Sequence, residues 1–413
     1  MSFKDLHLIN PLLKAIEEQG YSNPTAVQER TIPCVLNNQD VIVTAQTGTG
    51  KTAAFALPIL QLLFHKQDAP KGGKTIKALV VSPTRELALQ IGNNFKAYAR
   101  HTNLRTTVIF GGISEKPQID VLTKGVDILV ATPGRLLDLT SQGIVELNQV
   151  EILVLDEADL MLDMGFIDDV KKIEVLCPIE KQILLFSATI PFKVEQLANS
   201  ILKSPERIAV SPTSTVANTV SQLLYYVPKR NKMELCLHLL RNEIKGNILI
   251  FRRTKFGVNK LENALTKNGY KVDTIHGDKS QTDRQEALKK FKNGVVDILI
   301  ATDVAARGID INELDAVINF DLPNIPETYV HRIGRTGRAG QNGIAYSLCS
   351  ADEKNYVKNI QQLIQKDIPI EENHPYPLDP KAKAVVHKSK ESKSKHRKGR
   401  KSKASKKKKR RWY

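Results

Sequence analysis

Two α/β domains of similar size are predicted by three features of the sequence. Short β-branched runs alternate with amphipathic segments, the rhythm breaks near residue 210, and it then restarts. The first set is VIVTA (41–45), ALVVS (78–82), TTVIF (106–110), DILVA (127–131), EILVLD (151–156) and QILLFS (182–187). The second is QLLYYV (222–227), NILIF (247–251), VDTIH (272–276), DILIAT (297–302), AVINF (316–320) and AYSL (345–348). Such runs are the signature of buried parallel strands joined by crossover helices. Between the sets, SPERIAVSPTSTVANTV (204–220) carries two prolines and is rich in Ser, Thr and Asn, which suits a linker. The predicted organisation is therefore a first domain over 1–207, a linker over 208–220, a second domain over 221–370 and a disordered tail over 371–413.

Composition agrees with this division. With 413 residues and 41% hydrophobic content, the chain can bury two or three separate cores. Cys34, Cys177, Cys236 and Cys349 are far apart, with no CxxC pair and no adjacent His cluster, so neither a disulfide framework nor a zinc site is indicated. MSFKDLHLIN has no apolar signal region and no apolar run is long enough to span a bilayer, so a cytoplasmic location is expected. The net charge of +17 is concentrated: residues 381–413 hold thirteen Lys and four Arg against Glu391 alone, which leaves the rest of the chain near +1. A Lys/Ser-rich segment of this kind cannot bury a core and suits nucleic-acid binding.

The segment AQTGTGKT (45–52) follows the strand DVIVT and leads into AAFALPILQLL, the strand, loop and helix context of a phosphate-binding loop. Gly48 and Gly50 let the backbone curl so that the N–H groups of Gln46, Thr47, Thr49 and their neighbours point inward. Lys51 is placed to meet the β and γ phosphates of a nucleoside triphosphate, and Thr52 to ligate Mg2+. The generic loop opens on Gly; here that position is Ala45. About a hundred residues later EILVLDEAD supplies two carboxylates at a strand end. Asp156 is the expected magnesium-side group and Glu157 the base or water-orienting group.

AQTGTGKT together with DEAD resembles the DEAD-box RNA helicase family, and the likeness extends to about residue 350. It implies two RecA-like domains, each a parallel sheet flanked by helices. Phe3 and Gly20 to Gln28 are similar to the family's Q motif, which makes Gln28 the adenine reader and Tyr21 the aromatic that stacks on the base; Val27 stands where Ile is commoner. PTRELALQ (83–90), Gly111-Gly112 and TPGR (132–135) resemble the RNA-contacting motifs, implicating Pro83, Thr84, Arg85, Gly111, Gly112, Thr132, Pro133, Gly134 and Arg135. SAT (187–189) resembles the motif that links hydrolysis to strand separation, through Ser187 and Thr189. ILIFRRT (248–254), HGDKSQTDR (276–284), ATDVAARGID (301–310) and YVHRIGRTGRAG (329–340) follow in family order. By the same resemblance Arg252, Thr302 and Asp303 contact RNA, Asp310 the ribose, His331 the DEAD segment, and Arg335 and Arg338 the γ-phosphate from across the cleft.

Even without the resemblance, a P-loop in one domain and arginines in another imply a site completed only when the domains close. The family adds RNA lying across both domains and held mostly by its backbone. An RNA-dependent ATPase that opens duplexes is the reading that follows. An ATP-gated clamp or assembly scaffold uses the same motifs and stays open at this point, with ribosomal or RNA-decay particles as candidate assemblies. A kinase or transport ATPase would lack the second α/β domain, and a DNA translocase fits the Q motif and DEAD less well. MSFKDLHL, the compact core and the basic tail are similar to the bacterial RhlE-type subgroup.

Overall fold

A computed structural model describes residues 1–45, 48–65, 75–210, 220–306, 311, 314–336 and 343–379. Every predicted strand is present, and all ladders are parallel. The first sheet contains β1 (Val41–Thr44), β2 (Ala78–Val81), β3 (Thr106–Ile109), β4 (Ile128–Ala131), β5 (Ile152–Leu155), β6 (Gln182–Ser187) and β7 (Glu206–Ala209). Its order is β3-β4-β2-β5-β6-β1-β7. The second sheet contains β8 (Val220–Tyr226), β9 (Ile248–Phe251), β10 (Val272–Ile275), β11 (Ile298–Ala301), β12 (Ala316–Asn319) and β13 (Gly343–Cys349), in the order β10-β11-β9-β12-β13-β8.

The runs are continuously apolar because both faces of each sheet are covered by helices. In β2, Ala78 and Val80 enter one core, and Leu79 and Val81 the opposite one. In β9, Ile248 and Ile250 pack on one side and Leu249 and Phe251 on the other. This period of two fixes the register. The loops leaving the strands' carboxyl ends then gather at one edge of each sheet, where ligands bind in such folds. The two RecA-like units of the sequence-based expectation are thus present.

Two boundaries differ from the prediction. β7 runs into the segment assigned to the linker: it pairs with β1, and Val210 N–H donates to Thr44 O at 3.0 Å. As an edge strand it buries only Ile208, so its sequence lacks the apolar continuity of a central strand. Of the linker, residues 211–219 lie outside the described residues. The tail does not begin at 371. Glu371 N–H donates to Leu224 O at 2.9 Å and Leu378 N–H to Tyr226 O at 3.0 Å, while Tyr376 packs on the second core. This strap covers the outer edge of β8, satisfying backbone groups that an edge strand would leave open. The basic segment itself, from residue 380 on, lies outside the described residues.

Candidate functional site

At the carboxyl end of β1 the chain turns through Gly48 (φ 87°) and Gly50 (φ 89°) into the helix Lys51–Phe64. Both glycines occupy the left-handed region that side chains disfavour. Gln46 and Thr47 lie outside the described residues. Lys51 is buried, and its Nζ donates to Glu157 Oε1 at 2.6 Å. Burial alone would depress the Lys51 ammonium, but Glu157 and then Asp156 outweigh it and hold its pKa above the ordinary value. Glu157 has φ 55°, ψ 54°, a strained conformation for a residue with a Cβ, at the point where β5 gives way to a short helix.

Asp156 closes β5, with its N–H donating to Val81 O at 3.0 Å. Burial raises its carboxyl above the usual carboxylate range, against the pull of Lys51. Its Oδ1 is buried without a hydrogen-bond partner in the structure. An orphaned carboxylate oxygen in a cavity that Thr52 and Lys51 also line fits the hard-cation chemistry of Mg2+.

The same cavity, of about 440 Å³, reaches Tyr21 and Gln28. Gln28 is 4% exposed and tied to the loop: its Oε1 accepts from Thr25 N–H at 2.9 Å, and its Nε2 donates to Gly50 O at 3.2 Å. Thr25 Oγ1 in turn donates to Thr49 O at 2.8 Å. A Cβ at Gly50 would collide with the Gln28 amide, so glycine is required there for space as well as for φ. Tyr21 is 41% exposed and meets Tyr98 through their hydroxyls at 3.2 Å. Phe3, expected to bind nucleotide, is 5% exposed within the first core and is not among the residues lining the cavity; its aromatic ring serves packing.

Behind Glu157, Asp159 joins the site to the SAT segment. Its Oδ2 accepts from both Thr189 N–H and Thr189 Oγ1 at 2.9 Å, and its N–H donates to Ser187 Oγ at 3.0 Å. Burial opposes ionisation of Asp159, but the charge of His331 from the second domain, then Lys51 and Thr189, hold its pKa below the ordinary value. Ser187, Thr189 and His331 therefore converge on one residue, Asp159, Ser187 at its backbone N–H and the other two at its carboxylate; the sequence alone assigns it no role.

A second cavity, of about 700 Å³, lies between the domains. It is lined by Pro83, Thr84, Arg85, Gly111, Gly112, Thr132, Gly134 and Arg135 from the first domain, and by Gly277, Lys279, Ser280 and Arg284 from the second. Pro133 is buried at the start of the helix Pro133–Ser141 and does not line the cavity. A Cβ on Gly112 would strike the Arg85 guanidinium, so the two pack directly. Burial depresses the Arg85 pKa, and Arg284 and Arg135 add to the effect against the opposing charge of Glu86. Arg135 Nη1 and Arg284 Nε are buried donors with no partner in the structure. Crowded guanidiniums with spare N–H groups suit phosphate oxygens. Arg284 Nη2 also meets Glu86 at 3.1 Å, an ion pair that spans the domains. Glu86, Asp138, Met164, Phe166, Gly277, Lys279, Ser280 and Arg284 line this groove but are not among the site residues that the sequence singles out.

Other expected residues lie elsewhere. Arg252 stacks on Phe320, 4.0 Å to the ring centroid, and pairs with Asp321 at 3.2 Å. The Asp303 carboxylate is engaged by Arg332 at 2.5 and 2.8 Å, and Thr302 precedes it at the end of β11; none of the three lines the groove. Arg335 is buried in the second domain and does not line the cavity that holds Lys51 and Gln28. Asp310 and Arg338 lie outside the described residues.

Two family models match the chain: "DEAD/DEAH box helicase" over residues 25–197 and "Helicase conserved C-terminal domain" over 231–340. The chain is 42% identical over 367 residues to the DEAD-box ATP-dependent RNA helicase RhpA of Helicobacter pylori, covering 89% of this chain and 73% of the relative. With CshA of Bacillus subtilis, of the same description, identity is 42% over 366 residues, covering 89% and 73%. Among solved structures, Dbp5 of S. cerevisiae bound to RNA and ADP BeF3 is similar with a TM-score of 0.79 and 33% identity, covering 89% of this chain and 94% of that one.

Proposed function

The chain belongs to the DEAD-box family of ATP-dependent RNA helicases, and on that premise we propose that it opens RNA duplexes locally by closing its two RecA-like domains over one strand. The observation that carries this reading is the shared groove, in which Arg85 and Arg135 of one domain face Lys279 and Arg284 of the other. A strand lying there contacts both domains through its phosphates, largely without regard to sequence.

In this reading Gln28 and Tyr21 select adenine, and the loop backbone with Lys51 binds the β and γ phosphates. Lys51 must then leave Glu157, freeing that carboxylate to orient the attacking water and take its proton. Asp156 and Thr52 are the residues that would hold Mg2+, which supplies charge neutralisation between the phosphates. Arg335 and Arg338 complete the site from the second domain in the transition state. Asp159 links the reacting end to Thr189 and His331, so hydrolysis is registered at the interface of the domains.

The 381–413 segment, at +16, acts in the same proposal as a tether for RNA, supported by its charge alone. Ribosomal or RNA-decay particles, a cytoplasmic location and the RhlE-type subgroup belong to it as well. Among the described residues no helix is long and apolar enough to cross a membrane. The test pairs RNA-stimulated ATPase with separation of a short labelled RNA duplex. ATP-dependent separation is expected; RNA-stimulated hydrolysis with no separation would replace unwinding by clamping.

A further inference from the structure

We propose that Phe256 is a base-stacking platform at the second-domain rim of the groove, a contact to nucleobases in a surface that otherwise reads the backbone. The inference rests on the RNA-binding reading above. Phe256 lies in the first turn of the helix Lys255–Lys267, which begins just beyond the carboxyl end of β9 and is capped by Thr254, whose Oγ1 accepts from Gly257 N–H at 3.1 Å. The next residue, Gly257, faces inward: a Cβ there would collide with the Arg252 guanidinium. With about 100° between successive helical positions, Phe256 is turned outward, and it is 76% exposed.

Exposure of one apolar residue is ordinary and by itself carries nothing. Here it is joined to the groove. Lys255 Nζ lies 5.5 Å from the centroid of the Phe256 ring and pairs with Asp278 at 2.7 Å. Asp278 is the residue between Gly277 and Lys279, both of which line the groove. The ring is therefore continuous with the phosphate-facing surface and has a cation beside it. This is the combination that holds single-stranded nucleic acid, with charge for the backbone and a flat apolar face for a base. A strand seated against Lys279 and Ser280 would turn a base toward the rim, where the exposed Phe256 ring stands.

The test measures RNA affinity of the full chain, in the presence of a non-hydrolysable ATP analogue, for a single-stranded oligonucleotide and for the same oligonucleotide with abasic positions. Phe256→Ala and Phe256→Leu should each weaken binding to the intact strand by about 5-fold or more, while Phe256→Trp retains it. The abasic strand should bind wild type and Phe256→Ala alike. Equal affinity of wild type and Phe256→Ala for the intact strand overturns the platform and leaves the helicase reading standing. A loss that persists unchanged on the abasic strand also overturns it, because the contact would then be to the backbone or to the fold. Failure of wild type to bind either strand would remove the RNA-binding reading itself.

Discussion

Removing the ion pair between Glu86 and Arg284 should weaken the link between nucleotide and RNA more than it weakens either ligand alone. The pair is 3.1 Å long, its side chains are 9% and 16% exposed, and it joins the two domains. At an effective dielectric of about 20 the gross attraction is about 5 kcal/mol. Desolvation of both groups removes much of this, and close charge pairs across interfaces retain about 1.5–7 kcal/mol of coupling. We take about 2 kcal/mol, or about 30-fold in an equilibrium constant. Arg284 also lines the groove, so a single substitution there confuses closure with RNA contact. A cycle of Glu86→Ala, Arg284→Ala and the double variant separates them. RNA affinity is measured with and without a non-hydrolysable ATP analogue, and the ratio gives the coupling between the ligands. Each single variant should lower that ratio by up to about 30-fold, and the double variant should lower it no further. Additive losses in the double variant, or ratios equal to wild type, would show that the pair does not contribute to closure.

Lys51→Ala should abolish ATP binding, read by nucleotide titration, whereas Glu157→Gln should keep ATP and RNA bound while turnover falls by at least about 100-fold; normal turnover would remove the role given to that carboxylate. Arg335→Ala and Arg338→Ala should each depress RNA-stimulated hydrolysis more than ATP affinity, because their charge matters most in the transition state. Gly112→Ala combines a positive φ with a collision at Arg85, so RNA affinity should drop by about 5-fold or more while RNA-free ATP binding is kept. A chain ending at Lys381 should keep RNA-stimulated ATPase at saturating RNA but bind RNA more weakly, with a shallower dependence of log affinity on log salt; the slope changes by about 0.7 for each phosphate that the basic segment neutralises.

The strands were legible because burial on both faces leaves a continuous apolar run, and the P-loop because its chemistry demands glycine and lysine at fixed spacing between a strand and a helix. β7 was not: with Ile208 alone buried, it reads as linker. Tyr21, Gln28, Gly48, Gly50, Lys51, Thr52, Asp156 and Glu157, which separate motifs single out, line one cavity. The groove could be read only in part. Met164 and Phe166 have no phosphate-binding chemistry of their own, and only the fold brings them beside Arg85. Asp303 has a partner that the sequence does not announce. An acid after β11 resembled an RNA contact, but Arg332, twenty-nine positions later and 2% exposed, takes both its oxygens. A buried guanidinium requires such a partner, and that requirement is invisible until the two elements meet.

One helix connects the two cavities. In Arg85–Tyr98, the first turn places Arg85 and Glu86 in the groove, while Leu87, Gln90, Ile91, Asn94 and Tyr98 line the cavity that holds Lys51 and Gln28. Those five positions follow the spacing of three and four that puts side chains on one helical face. Its opposite support is the first core, where Ala88 and Phe95 are fully buried. If such a helix moves as a unit, a displacement at the end near Tyr98 would carry the arginine and the glutamate at its other end with it. Glu86 in turn is the first-domain half of the cross-domain ion pair. In the proposed reading, nucleotide, RNA and domain closure would all act on the same fourteen-residue helix. Because linkage is reciprocal, any factor by which ATP strengthens RNA binding through closure is the factor by which RNA must strengthen ATP binding.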